Sequence, residues 1–173
     1  VNFTIFSTTH NNGDIKHNFN DFEKIFRIYV NPKNLISTYA ALIKFTYLFL
    51  KICKNIDIIH IHGLTSISYL FIFLGKLFKK KIILKLSSFN FDDPITIKQK
   101  SFIFFLFIKK VDKLICISPS FKNSATTLGI KNSQIELISN FVDINKFMPN
   151  NRKDVLDLKI KNNIIPNIPT LIF

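Results

Sequence analysis

Asp57-Ile58-Ile59-His60-Ile61-His62-Gly63 opens the part of the sequence that decides the fold, and this part runs on to Leu86. Residues 57–62 form a short Ile-rich run with the length of a strand. Residues 64–78 stay apolar over a helical length, and Lys79, Lys80 and Lys81 close that helix, where cations complement the negative end of its dipole. The apolar pattern resumes at once, so the next strand is drawn as 82–86, with Lys85 as its polar interruption. Strand, helix and strand in such close succession make a βαβ unit, whose apolar strands belong to a parallel sheet buried by helices.

The alternation continues toward the C-terminus. A loop over 87–94 leads to a Phe-rich helix over 99–110 and a strand over 113–117. Pro119 suits a first helical turn, Ser118 is available as its cap, and Gly129 stops that helix. Residues 134–138 supply another strand, and 140–151, with Pro149 inside, turn polar and irregular as a connector does. Toward the N-terminus, strands are expected at 1–6 and 26–30, separated by a polar loop over 8–20. Pro32 and the pair Lys54 and Asn55 frame a helix over 35–53 in which Ser37, Lys44 and Lys51 recur every seven residues as a narrow wet stripe. Crossing a bilayer takes ~20 apolar residues, but Lys44 near the centre would cost about 2.5–3.5 kcal/mol, so this helix reads as buried or resting on a membrane. The fold class expected is α/β: a doubly wound, mainly parallel Rossmann-like sheet with helices on both faces.

At 173 residues and 47% hydrophobic, the chain suits one compact domain with a sizeable core and is not a disordered segment. Its net charge of +13 attracts polyanions in principle. However, Arg occurs only at Arg27 and Arg152, and the abundant Lys, Ile, Asn and Phe all have A/T-rich codons, so coding bias competes with a ligand as the explanation. The Lys residues are scattered, no nucleic-acid-binding signature accompanies them, and no nucleic-acid partner is expected. Cys53 and Cys116 lie in apolar runs without metal or disulfide spacing and read as core residues. The chain begins with Val, residues 168–173 read as a strand entering something further, and both ends read as cut. No signal peptide is visible, which points to the cytoplasm.

In an open α/β sheet, ligands gather beyond the carboxyl ends of the strands. The residues there are His62 and Gly63, Ser87, Ser88 and Asn90, Ser118, and finally Asn140 and Asp143. His60 and His62 share a strand face by parity. Without a third ligand they make a weak metal site, so no metal is expected; the commoner arrangement packs one His and turns the other to a cleft. The four glycines form neither G-x-G-x-x-G nor a Walker loop, and no Ser sits in a G-x-S-x-G elbow, so dinucleotide, ATP and serine-hydrolase chemistry are poorly supported.

Three stretches in order carry a resemblance: 57–63, Val111-Asp112-Lys113-Leu114-Ile115-Cys116-Ile117-Ser118-Pro119, and the run 138–149 from Ile138-Ser139-Asn140 through Asp143 and Phe147 to Pro149. Together they resemble the N-terminal, acceptor-side domain of retaining glycosyltransferase family four, of GT-B fold. The resemblance implies a Rossmann-like domain over 1–149, its first strand and Gly-rich loop missing. It implies a connector over 150–173 that ends in the first strand, 170–173, of a C-terminal domain binding the donor. It implies sugar transfer from a nucleotide-sugar, as substrate rather than cofactor, to an acceptor hydroxyl in cell-surface polysaccharide or glycolipid synthesis. His62, Gly63, Ser87, Ser88, Ser118 and Asn140 would line the acceptor cleft, with a loop bond or helix cap as the plainer role of each serine. Ser87 stands where the family often has a His, and Ser139-Asn140-Phe141 replaces Pro-Asn-Gly. Residues 1–173 alone are expected to be inactive, and a non-catalytic binding module is the alternative. Docking of the Lys-flanked helix 99–110 on an anionic membrane competes with a plainer reading in which 102–108 is core.

Overall fold

The computed structural model describes residues 3–10, 15–20, 23–31, 33–88, 90–149, 151–165 and 168–169. They form two compact units, Val1–Ser139 and Asn140–Phe173. The first unit runs β1 (Phe3–Thr9), β2 (Ile15–Asn20), β3 (Glu23–Tyr29), α1 (Leu35–Ile52), β4 (Ile58–His62), α2 (Ser66–Leu77) and β5 (Lys81–Lys85). It continues with α3 (Pro94–Lys100), α4 (Phe102–Ile108), β6 (Lys113–Cys116), α5 (Pro119–Thr127) and β7 (Ile135–Leu137). This is the expected mixed α/β, Rossmann-like domain. Strands β4-β5-β6-β7 lie side by side in one all-parallel sheet, and β1-β3-β2 form a second sheet in which β2 is antiparallel. Among the described residues no ladder joins β1 to β4.

Packing follows from side-chain parity. Ile61, Ile82, Leu84, Leu114 and Cys116 point from the larger sheet into the core, and Ala41, Phe45, Phe49 and Cys53 recur every fourth residue on the inner side of α1 and its following turn. Both cysteines are buried and free, as their apolar surroundings predicted. Burial pushes the Cys116 thiol up to about 11, against the pull of Lys122. The aromatic centre is Phe71 of α2, whose ring lies 5.1 Å from Phe6, 5.9 Å from Phe45 and 5.9 Å from Phe49. Phe6 also stacks on Phe26 of β3 at 5.6 Å, so rings fasten the three-stranded sheet to helices α1 and α2. Helix α2 comes close to the sheet at Gly75, where an added Cβ would stand 2.9 Å from the Cδ1 atoms of both Ile59 and Ile82.

Asp112, in the second of the three sequence motifs, has a structural task. Its Oδ2 accepts from Lys76 Nζ at 2.7 Å and from the Ile82 amide at 3.0 Å, while its own amide donates to Ile82 O at 2.9 Å. The end of α2 is thereby fastened to the starts of β5 and β6. Burial pushes this carboxyl up, but the Lys76 and Ile82 bonds and the charges of Lys76 and Lys81 outweigh it and hold its pKa below the ordinary 3.8. A depressed carboxylate contributes stability that is full above its ordinary value and lost as pH falls through the folded value. The urea midpoint should therefore drop between about pH 6 and about pH 3, and drop less in Asp112→Asn, in which this group no longer titrates.

Several elements depart from the sequence reading. The polar loop expected over 8–20 contains β2, a polar strand that among the described residues pairs with β3 alone. The helix expected over 99–110 is two helices broken at Ser101, whose extended backbone (φ −162°, ψ 117°) ends α3 and whose hydroxyl accepts from Phe104 N at 3.4 Å to begin α4. Helix α3 starts earlier, at Pro94, capped by Asp93. The second unit contains α6 (Arg152–Lys161), not anticipated, with Asn151 accepting from Asp154 N at 2.9 Å as its cap. In the preceding segment Asp143 Oδ1 accepts from the amides of Asn145 and Lys146, a local turn. The strand expected over 170–173 and the framing role of Pro32 lie outside the described residues; Asn34 caps α1.

Candidate functional site

Because β4 to β7 are parallel, their carboxyl ends share one rim. At the first tip, Gly63 adopts φ +69°, a left-handed conformation that side chains resist, and its amide donates to Lys85 O at 2.9 Å. An added Cβ there would meet Ser87 Oγ at 3.1 Å and Asp92 Oδ2 at 3.6 Å. The first two tips are thus in contact. Helix α2 begins just beyond: Thr65 and Ser68 form a reciprocal cap, and Ser68 Oγ also donates to Gly63 O at 3.1 Å.

The turn after β5 is organised by Asp92, which is 2% exposed. Its oxygens accept from Ser87 N at 3.0 and 3.2 Å, Ser87 Oγ at 2.9 Å and Ser88 N at 2.7 Å. With its proton directed to Asp92, Ser87 Oγ keeps its lone pairs for accepting a hydrogen bond. Asp93 beside it caps α3 through Thr96 N at 3.1 Å. Burial pushes the Asp93 carboxyl up, but bonds from Thr96, Asn90 and Ile95 outweigh it and hold it below the ordinary carboxylate range. Tyr69 of α2 stacks on Phe104 with centroids 4.2 Å apart, and burial, then the Asp92 charge, push its hydroxyl pKa up. Leu64, Thr65, Tyr69, Phe91, Lys100 and Phe104 line a shallow open groove of about 230 Å³ beside these tips, with Lys100 Nζ 4.7 Å from the Phe91 ring centre.

The sequence-predicted residues divide accordingly. Gly63, Ser87 and Ser88 converge around Asp92. His62 precedes Gly63, but its exposed ring lies 4.4 Å from that of exposed His60, so neither is the packed member of the pair. Burial, then the charges of His62 and Lys85, lower the His60 pKa. No cluster of three metal-ligating side chains occurs among the described residues. Ser118 occupies the N-cap position of α5 on the same rim, but its hydroxyl makes no capping bond, contrary to the expected cap. Asn140 is exposed and belongs to the second unit. Asp92, Asp93 and Tyr69 were missed; Asp-Asp-Pro before a helix is the cap signal that could have revealed the first two.

A parallel α/β sheet with a polar rim at its carboxyl ends defines a Rossmann-like ligand-binding domain. The chain belongs to glycosyltransferase family 4, whose model matches residues 1–146. No curated protein matches it. The match spans β1 to β7 and enters the second unit. Membership makes the chain a glycosyltransferase-family domain, with a sugar and an acceptor as substrates in general terms.

Proposed function

We propose that this chain is the acceptor-side part of a retaining, GT-B glycosyltransferase that moves a sugar from a nucleotide-sugar to an acceptor hydroxyl in cell-surface polysaccharide or glycolipid synthesis, on the cytoplasmic side. The observation that supports it is the Gly63–Ser87–Ser88 turn locked on Asp92 beside an aromatic-lined groove. Sugar rings present apolar faces to aromatic groups and hydroxyls to fixed polar atoms, and this rim offers both. An acceptor hydroxyl donating to Ser87 would be held with its own oxygen turned to the donor; orientation of this kind is worth several kcal/mol of barrier, on the order of 7–11 in ideal cases. Ser87 thus orients and carries no charge, unlike the His the family often places there.

The donor phosphates require a separate site, since the sequence has no Gly-rich phosphate loop. Residues 1–173 are therefore expected to bind short glycans weakly, to bind nucleotide-sugars not at all, and to give no turnover. Ligand-observed NMR with both ligand classes checks this, and Ser87→Ala should weaken glycan binding about tenfold, the loss of one well-placed hydrogen bond. Saturable nucleotide-sugar binding with turnover by these residues would sink the acceptor-side assignment.

A further inference from the structure

The groove beside the rim carries one formal charge. Among the described residues Lys100 is the single charged side chain that lines it, and the rest of the lining is aromatic, aliphatic or hydroxylic. Stacked Tyr69 and Phe104 and exposed Phe91 supply its rings, and buried Ile97 joins it to the core. The two acids of the neighbouring turn are occupied inside the fold: Asp92 accepts from Ser87 and Ser88, and Asp93 caps α3. Among the described residues no carboxylate pairs with Lys100, whose Nζ lies 4.7 Å from the Phe91 ring centre instead. A ring contact of this kind orients an ammonium without neutralising it, and leaves its N–H donors for a ligand.

Size and chemistry restrict the occupant. At about 230 Å³ the groove is smaller than the ~300–1,000 Å³ of sites for drug-sized ligands, and it suits a single ring. Its aromatic faces match the apolar face of a sugar. Ser101 Oγ, which accepts from Phe104 N at 3.4 Å, keeps its own proton for a sugar hydroxyl. An ammonium set among low-dielectric side chains favours an anionic substituent over a neutral one. One ammonium matches one carboxylate, whereas a phosphate dianion gathers several donors, from Arg forks or Gly-rich loops. Among the described residues neither an Arg nor a Gly lines the groove.

We propose that the groove takes an acidic sugar, a ring that lies on the aromatic side chains while Lys100 holds its carboxylate. The inference rests on the acceptor-side reading above and names the class of acceptor which that reading leaves open, with Lys100 as the residue that selects it. Ligand-observed NMR titration of residues 1–173 with methyl glucuronide, methyl glucoside and methyl glucoside 6-phosphate tests it. The glucuronide should bind at least tenfold more tightly than the glucoside, the factor that one charge-assisted hydrogen bond supplies, and no more weakly than the phosphate. Lys100→Met, with unchanged far-ultraviolet circular dichroism, should bring glucuronide and glucoside within twofold of each other, and Lys100→Arg should keep them apart. Lys98→Met removes an exposed cation that packs near Phe105 outside the groove, and it should preserve the preference, which separates a local contact from the general pull of a chain with net charge +13. Equal binding of glucuronide and glucoside, tighter binding of the phosphate, an undiminished preference in Lys100→Met or an equal loss in Lys98→Met overturns the proposal and leaves the acceptor-side reading standing. Acetate binding as tightly as the glucuronide would make this a site for free anions, which also overturns it. If none of the three glycosides binds, the acceptor-side reading falls together with the proposal.

Discussion

Replacing Asp92 by Ala is expected to destabilise the first unit by about 3 kcal/mol, because it strands two backbone amides and a hydroxyl that the buried carboxylate now satisfies. Urea denaturation measures the loss, with the midpoint falling by on the order of 1–2 M at the slopes usual for small domains. Asp92→Asn, which keeps one acceptor oxygen, should lose less. Asp143→Ala, which breaks bonds in an exposed turn, should stay within about 0.5 kcal/mol. The consequence reaches the rim, since Gly63 rests against both Ser87 and Asp92. Asp92→Ala should therefore abolish glycan binding more completely than Ser87→Ala, and equal effects would mean that Asp92 acts only through the serine hydroxyl.

Phe71→Ala is expected to cost more, about 3–5 kcal/mol, as removal of a large buried ring typically does. Against the ~5–15 kcal/mol that holds most domains folded, such a loss leaves the unit marginal at ordinary temperature. Thermal unfolding followed by circular dichroism should show the drop, and Phe71→Leu should restore most of it by refilling the volume. Phe73→Ala, two residues along the same helix but with its ring exposed, should be nearly neutral. Comparable losses at both positions would contradict the placement of Phe71 at the junction of Phe6, Phe45 and Phe49.

The parallel sheet was legible because β4, β5 and β6 are short apolar runs separated by helical lengths of sequence, a pattern with few other solutions. Strand β2 was not, since Ile-Lys-His-Asn-Phe-Asn carries no apolar run and owes its form to pairing with β3, a tertiary cause. The break at Ser101 was hidden because apolar residues continue on both sides of it, and periodicity is blind to a single extended residue. Helix α6 has no apolar stripe, so only its Asn151 cap announced it. At the rim, strand ends were enough to anticipate that Gly63, Ser87 and Ser88 lie at neighbouring strand tips. The role of Asp92 depends on the chain folding back through its turn, which no spacing rule encodes.

The seam between the three-stranded sheet and helices α1 and α2 is made of rings, and among the described residues no backbone ladder joins that sheet to β4–β7, which bears on how the domain comes apart. A ladder is directional and fails as a unit, whereas a ring contact tolerates small slips and opens with little loss of hydrogen bonding. Within the one compact unit Val1–Ser139, the strands β1 to β3 are therefore expected to open before β4 to β7. Any ligand or neighbour that spans the seam would bind by closing it, and would be felt as added stability in β1 to β3 first.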